Sequence, residues 1–323
     1  MSQIIISTCH HPAYNLGLEE YLVDKGEDTL YLWQNDNTIV IGRNQNPYKE
    51  CDVQKIGQDG VVLVRRKSGG GAVYHDLGNL NFTIIGPVEE DGVEKNFAYV
   101  SKTLGRLGIE AVFNGRNDIH VQGKKVSGNA FVQRKDVFCH HGTMLVDVNM
   151  GALGKYLTAS KLKLKSKGVD SVKSRVLNLK DVKEDLTIQQ LEEAFIAEYK
   201  QGRSQVFCQT YSQQDIQDNP EIMKYVEVYL SRDWVYGQSP QANIGYEHRF
   251  SWGIIEVDML VEDGVVQKAY INTDSIINDN FSDLQTCICG KKFQADQIIQ
   301  AIEATIDNAQ VKSDLVALVQ SYQ

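Results

Sequence analysis

No G-x-x-x-x-G-K-[ST] run occurs in this chain, and its triple glycine, Gly69-Gly70-Gly71, lacks the later glycine that a G-x-G-x-x-G turn requires. The standard nucleotide cradles are therefore excluded. No apolar run reaches the roughly 18 residues of a membrane-spanning helix. The opening MSQIIISTCHHPAYN has neither the basic start and long apolar stretch of a signal peptide nor an Arg-rich transit pattern. A soluble, cytoplasmic protein without a membrane partner is the expectation. A basic excess is missing too: 33 Lys and Arg stand against 42 Asp and Glu, a net charge of −9. General nucleic-acid binding, which rests on phosphate neutralisation, is not expected, and a local basic site remains open. HExxH does not occur, and the adjacent pairs His10-His11 and His140-His141 would point to opposite faces of a strand, so neither suggests a metal cage. Six scattered cysteines in 323 residues read as reduced thiols. Cys287-Ile288-Cys289 has no second Cys or His pair at zinc-like spacing.

What the chain does have is RRKSGGGAVYHDLGNLNF, from Arg65 to Phe82: three cations run into three glycines, followed by His75, Asp76 and Asn79. Glycines let a backbone approach a ligand without Cβ atoms in the way, and Arg and Lys supply charge for phosphate or carboxylate oxygens. The loop lies between the strand-like runs VVLVRR and LNFTII, so no helix N-terminus follows it directly. Backbone amides with Arg65, Arg66 and Lys67 are the expected anion holders. An ordinary glycine-rich turn is the plainer reading of the same residues.

Around this loop short strands alternate with helices. Pro12 to Asp24 reads as a helix, followed by the strands TLYLW and TIVIG. Phe97, Val100, Leu104 and Leu107 recur at helical spacing before Gly108, and Thr187 with Gln190 has the spacing of a capping box. AVFNG, DIHVQ, KVSGNAF and GTMLVDV continue as strands in an antiparallel-type meander. The turn-rich segment 237–245 reads as a linker, after which FSWGIIEVDMLV and VVQKAYINT begin afresh around Asp263-Gly264 and helices near 295–307 and 312–322 follow. The chain thus divides into residues 1–240 and a small α+β unit, 246–323.

Asp118 and Lys125 head two strands joined by a turn at Gln122-Gly123, which brings a carboxylate and an ammonium to one sheet end. Such a pair is either a surface salt bridge or a site: an aspartate that holds magnesium and a lysine that meets a carboxylate and an adjoining phosphate.

RRKSGGGAVYHDLGNLNFT, GRNDIHVQGKKVSGNAF, FCHHGTMLVDV and KSKGVDSVKSRVLNL closely resemble, in order, the motifs of the lipoate–protein ligase A family. YNLGLEEYL, VIGRNQNPYKEC, FSWGIIEVDM and TDS extend the resemblance over essentially the whole chain. It implies an α+β, biotin/lipoate ligase-like catalytic domain related to class II synthetases, with a mixed, mainly antiparallel sheet and a small α+β accessory domain. The implied reaction uses ATP and Mg2+: lipoate becomes lipoyl-AMP with release of pyrophosphate, and an acceptor lysine then takes the lipoyl group as an amide. Implied partners are lipoyl domains of E2 subunits of 2-oxoacid dehydrogenases or the glycine-cleavage H protein.

By the same resemblance Lys125 is the central catalytic lysine, Arg66 and Gly71-Ala72-Val73-Tyr74 contact the nucleotide, and Ser68, Gly69 and Gly70 line the lipoate entrance. His75, Asn79 and His141 are further pocket positions, and Asp118 is the magnesium-linked aspartate. The basic run Lys161 to Lys180 matches a loop that closes over the adenylate, although alone it reads as a solvated face. Phe131 is followed by Val132 where some relatives carry an arginine near the lipoate carboxyl, which leaves acyl preference open. Two other functions stay in view. One is an ATP-independent octanoyl- or lipoyl-transferase using Cys139 as nucleophile; the other is a non-catalytic lipoate- or adenylate-binding protein.

Overall fold

The computed structural model describes residues 2–88, 92–113, 117–157, 176–236, 244–262, 264–277 and 279–321. Among the described residues before 237 the strands are β1 (Ser2–Ser7), β2 (Asp28–Trp33), β3 (Thr38–Ile41), β4 (Val62–Arg65), β5 (Val73–His75), β6 (Asn79–Pro87), β7 (Val112–Phe113), β8 (Asp118–Val121), β9 (Lys124–Arg134), β10 (Val137–Leu145) and β11 (Val206–Tyr211). Eight form one sheet in the order β11-β1-β2-β6-β10-β9-β8-β7. β11, β1 and β2 run parallel, and every pairing from β2 onward is antiparallel.

Alternation along each strand sends neighbours to opposite faces. Ile4, Leu30, Leu32 and Phe82 therefore pack against the helices Gly92–Arg106 and Ile188–Lys200. Ile5, Tyr31, Trp33 and Ile85 face the helices Pro12–Lys25 and Pro220–Leu230. The expected antiparallel meander holds for β6 to β10; the parallel edge was not legible because β11, VFCQTY, is mostly exposed and shows no apolar alternation.

Local signals account for the helix ends. Pro12 occupies the first turn, where its missing N–H costs nothing, and Ala13 N–H donates to His11 Nδ1 at 3.3 Å. Gly26 closes the same helix in the left-handed region at φ 66°, which glycine adopts freely. Thr187 and Gln190 form the expected capping box.

The glycine loop departs from expectation. It was read as joining β4 directly to β6, but β5 intervenes and completes a separate three-stranded sheet, β4-β3-β5. Residues 158–175, which hold most of the basic run, lie outside the described residues, as do Gly115 and Arg116, most of the 237–245 linker, and Asp263. The described end of the basic run is anchored: Leu177 N–H donates to Lys125 O at 2.9 Å.

Beyond the linker, β12 (Ile244–Phe250), β13 (Gly253–Glu262) and β14 (Val265–Thr273) form an antiparallel sheet. The helices Phe281–Ile288, Ala295–Thr305 and Ala309–Ser321 cover it with their own apolar cluster. A cavity of about 250 Å³ lies within this cluster. Two of the described backbone bonds join the C-terminal unit to the rest: Thr273 N–H to Asn44 O at 2.7 Å and Gly70 N–H to Ser275 O at 2.9 Å. Among the described residues no helix is long and apolar enough to cross a membrane.

Gly17 is where the two helices on the Trp33 face meet most closely, since a Cβ there would lie 2.5 Å from Val226 Cγ2 and 2.9 Å from Val226 Cα. Gly17→Ala is expected to destabilise the protein by about 1–3 kcal/mol despite its better helix propensity. Urea denaturation checks this; a raised midpoint would show that the helices separate without cost.

Candidate active site

A pocket of about 170 Å³ opens between the glycine loop and the sheet face that carries β9 and β10. Its apolar wall is Leu16, Trp33, Val40, Val73 and Ala130; its polar wall is His75, Asn81, Asn117, Asn129, His141 and Thr143; Arg66, Lys125 and the backbone of Gly70 to Ala72 complete it. Along β9 the order Lys125, Gly128, Ala130 sets Lys125 at one end and Ala130, beside His141, roughly 16 Å away at about 3.3 Å per residue.

The turn Gln122-Gly123, with φ 50° and 75°, is the left-handed pair a two-residue hairpin needs. It delivers Lys125 Nζ to Asp118 Oδ1 at 2.7 Å. Gly128 is bare for a steric reason, because a Cβ there would lie 3.0 Å from the Lys125 ammonium. Its N–H donates to Thr143 Oγ1 at 3.1 Å.

Arg65, Arg66 and Lys67 were expected to carry the anion together, and the structure separates them. Arg65 is buried on the far side of β4, donating to the carbonyls of Gly42, Arg43, Gln45, Trp234 and Val235. Lys67 pairs with Glu20 at 3.3 Å and lies over the Trp234 ring. Arg66 does line the pocket, but its donors hold the loop: Nε to Ser68 Oγ at 3.0 Å, Nη1 to Val40 O at 3.2 Å, and Nη2 to Gly69 O and Gly71 O at 2.6 and 2.9 Å. Burial lowers both arginines to about 10, Cys51 opposing it at Arg65 and Glu19 at Arg66, so each keeps its charge at neutral pH.

Ser68 is buried beneath the loop, 2.7 Å from His141 Nε2, and His141 Nδ1 lies 3.0 Å from Glu19 Oε1. The spacing is that of a Ser-His-acid triad, yet Arg66 and His141 cover the serine, which is only 2% exposed. Burial pushes the Glu19 carboxyl up, but the adjacent His141, hydrogen bonds from His141 and Thr83, and the Arg66 charge bring it below its ordinary value. Glu19 escaped sequence reasoning because it sits inside an apolar helix pattern.

His75 lines the pocket with Nε2 unpartnered, while Nδ1 lies 3.2 Å from Asn35 Nδ2. Asn35 Oδ1 accepts from Asn15, so Asn35 donates to Nδ1 and the proton of the neutral ring is assigned to Nε2. Burial first, then the charges of Arg66 and His141, lower His75 to about 3.

Two expected positions lie beside the pocket and not in its lining. Tyr74 turns away from the pocket, packs near Tyr156 and donates to Asn37 Oδ1 at 3.3 Å, leaving Val73 and His75 on the pocket side. Asn79 supports the site from outside, its Nδ2 donating at 3.0 Å to Oδ1 of Asn81, the residue that lines the pocket. Val132 packs on the opposite face with the first helix's cluster.

Cys139 is 3% exposed in that same cluster and lies among none of the pocket-lining residues. Burial, reinforced by Glu19 and Glu20, raises its thiol well above the usual value, which removes the thiolate that a transferase nucleophile requires.

Residues 11–200 match the lipoyl protein ligase A/B catalytic domain, and residues 239–317 match the bacterial lipoate protein ligase C-terminus. A lipoate-protein ligase A of Psychrobacter cryohalolentis is 38% identical over 283 residues, covering 85% of this chain and 84% of that one. The corresponding protein of Blochmanniella floridana is 36% identical over 304 residues, covering 91% and 89%. The chain belongs to the lipoate–protein ligase family. P. falciparum LipL1, solved in complex with lipoate, superposes on this ligase with a TM-score of 0.87 at 30% identity over 99% of both chains. A lipoate-protein ligase A bound with ATP shares the fold, with a TM-score of 0.60 at 24% identity over 73% of this chain and 99% of that one.

The buried neutral histidines make stability depend on pH. His75 and His140 both have values lowered to about 3, whereas an unfolded histidine titrates near 6.5. Their contribution is intact above pH 6.5 and is lost as pH falls towards 3, by up to about 1.4 kcal/mol per pH unit for each ring. Glu19, also lowered, acts only below its ordinary value of 4.5. Urea melts between pH 6.5 and 5 are expected to show the slope, and His140→Gln to reduce it by about half; an unchanged slope would place the titration elsewhere.

Proposed function

We propose that this ligase activates free lipoate with ATP and passes the lipoyl group to a lysine of a lipoyl domain, in one pocket centred on Lys125. The observation that carries the reading is the Lys125 ammonium at one end of an elongated, largely apolar pocket, with Asp118 beside it and the glycine loop as the opposite wall. An acyl chain lies along β9 towards Ala130 and His141, and its carboxylate meets Lys125.

In the first step a lipoate carboxylate oxygen attacks the α-phosphorus of ATP, a P–O bond forms, and the bond to pyrophosphate breaks. Both reactants are anions, so the barrier falls chiefly through positive charge and alignment. Lys125 supplies that charge where the two meet. Arg66 acts through the loop it holds, and Nε2–H of His75 offers a donor to a polar group of the bound ligands.

In the second step the uncharged acceptor amine attacks the lipoyl carbonyl, the C–O bond to AMP breaks, the amine gives up one proton to solvent, and the amide forms. Lys125 supplies the positive charge for the carbonyl oxygen as it gains charge. AMP is a good leaving group and needs no strong acid.

Asp118 offers one carboxylate for magnesium, a cation that favours several waters and phosphate oxygens over an all-protein cage. That donor set fits an ion brought in with the nucleotide, for which Mg2+ supplies charge neutralisation of the phosphates. The acceptors assigned are lipoyl domains of E2 subunits or the glycine-cleavage H protein, and the compartment assigned is the cytoplasm. The two units are assigned to residues 1–240 and 246–323, catalytic and accessory respectively.

Lipoate-dependent exchange of labelled pyrophosphate into ATP tests the reading. Lys125→Ala is expected to lower exchange by about 10²–10³-fold, and Cys139→Ser to leave it within about twofold. Transfer without ATP that Cys139→Ser abolishes would establish the transferase instead; ligand binding with neither exchange nor transfer would establish a binding protein.

A further inference from the structure

The apolar cavity of the C-terminal unit is remote in composition from the site above: it shares no lining residue with the pocket at Lys125. It lies between β13 and β14 and the three C-terminal helices, walled by Ile255, Met259, Leu284, Ile298, Ile302 and Leu315. All six are at least nine-tenths buried, so the floor of this space is the unit's own core, while its mouth is open to solvent.

We propose that this cavity is a second acyl site, which takes the chain of a medium-length fatty acid with its carboxylate at the surface. Three observations select that occupant. The lining is almost wholly apolar, so a polar or charged guest would lose its hydration without replacement. The size is right: an engineered apolar cavity of about 150 Å³ holds the six carbons of benzene, so about 250 Å³ accommodates about ten. The wall reaches solvent at Phe293, Gln294 and Ala295, where Gln294 is exposed and forms the N-cap of the helix Ala295–Thr305 without a side-chain capping bond.

That uncapped helix start presents amide donors to an anion, and Lys291 and Lys292 immediately precede the rim. Asp296, the acidic residue of the first turn, is exposed, with Gln297 Nε2 3.4 Å from its carboxylate. The cavity gives the selectivity and the helix end orients the head group. Binding is non-covalent and rests on the C-terminal unit alone, whatever chemistry occurs at Lys125.

The test uses the full-length chain and uniformly ¹³C-labelled octanoate. Isotope-filtered nuclear Overhauser spectra are expected to connect the octanoate methylenes to methyl groups of Leu284, Ile298 and Leu315. Leu318→Trp, which fills the cavity from a half-buried wall position, is expected to abolish these signals and weaken that binding event at least tenfold, with pyrophosphate exchange unchanged. If Leu318→Trp fails to fold by circular dichroism, Ile298→Phe serves the same purpose. Octanoate signals confined to residues of the Lys125 pocket, or C-terminal signals that survive filling of the cavity, would overturn the proposal. Loss of exchange with retained signals at Ile298 would instead count against the catalytic reading and leave the second site standing.

Discussion

The glycine loop takes its shape from the Arg66 guanidinium. A buried cation costs several kcal/mol unless its donors are matched, and here the match is made by carbonyls of Val40, Gly69 and Gly71 with the Ser68 hydroxyl. Bringing those carbonyls onto one planar fork requires a tight backbone path. Gly70 adopts φ 91°, and a Cβ on Gly42 would lie 2.1 Å from Gly70 O. The glycines therefore serve the arginine first and a ligand second. Arg66, read from sequence as an anion contact, is an internal strut, and the burden of charge at the pocket passes to Lys125.

The same division explains why a net charge of −9 is compatible with binding two anions. Steering and solubility follow the whole surface, whereas the reaction depends on the field inside one cleft. Lys125 faces that cleft at the end of a hairpin whose geometry is set by its own turn, and Asp118 orients the ammonium without sealing it. Ser68, His141 and Glu19 form the opposite case, a hydrogen-bonded chain whose members satisfy one another and hold the wall still.

What could be read in advance follows from the range of the forces involved. Helix ends written by Pro12 and Thr187 are local, and so is the Gln122-Gly123 turn that pairs Asp118 with Lys125; all were legible. The side of a strand on which a residue falls is not local when the strand is three residues long. Val73-Tyr74-His75 has no alternation to read, so Tyr74 was assigned to the pocket although its side chain joins the Tyr156 cluster. Asn79 and Asn81 are chemically alike and two apart, and only the pairing of Asn81 with Trp33 and Thr143 places it at the pocket. Glu19 was hidden because its partners, His141 and Thr83, are far away in the chain.

The loop also has a dependence that no local pattern carries. Ser275 O accepts the Gly70 N–H, and a Cβ on Gly69 would lie 2.5 Å from that oxygen. Two adjacent glycines are thus shaped by a residue of the C-terminal unit as well as by Arg66. An amide has one hydrogen, so Gly70 cannot serve a ligand oxygen and Ser275 at the same time. Gly71 is under no such constraint, since the space at its Cβ position is open. The three glycines are consequently not interchangeable: Gly69 makes room for the C-terminal unit, Gly70 bonds to it, and Gly71 is the one whose open side remains available to a substrate.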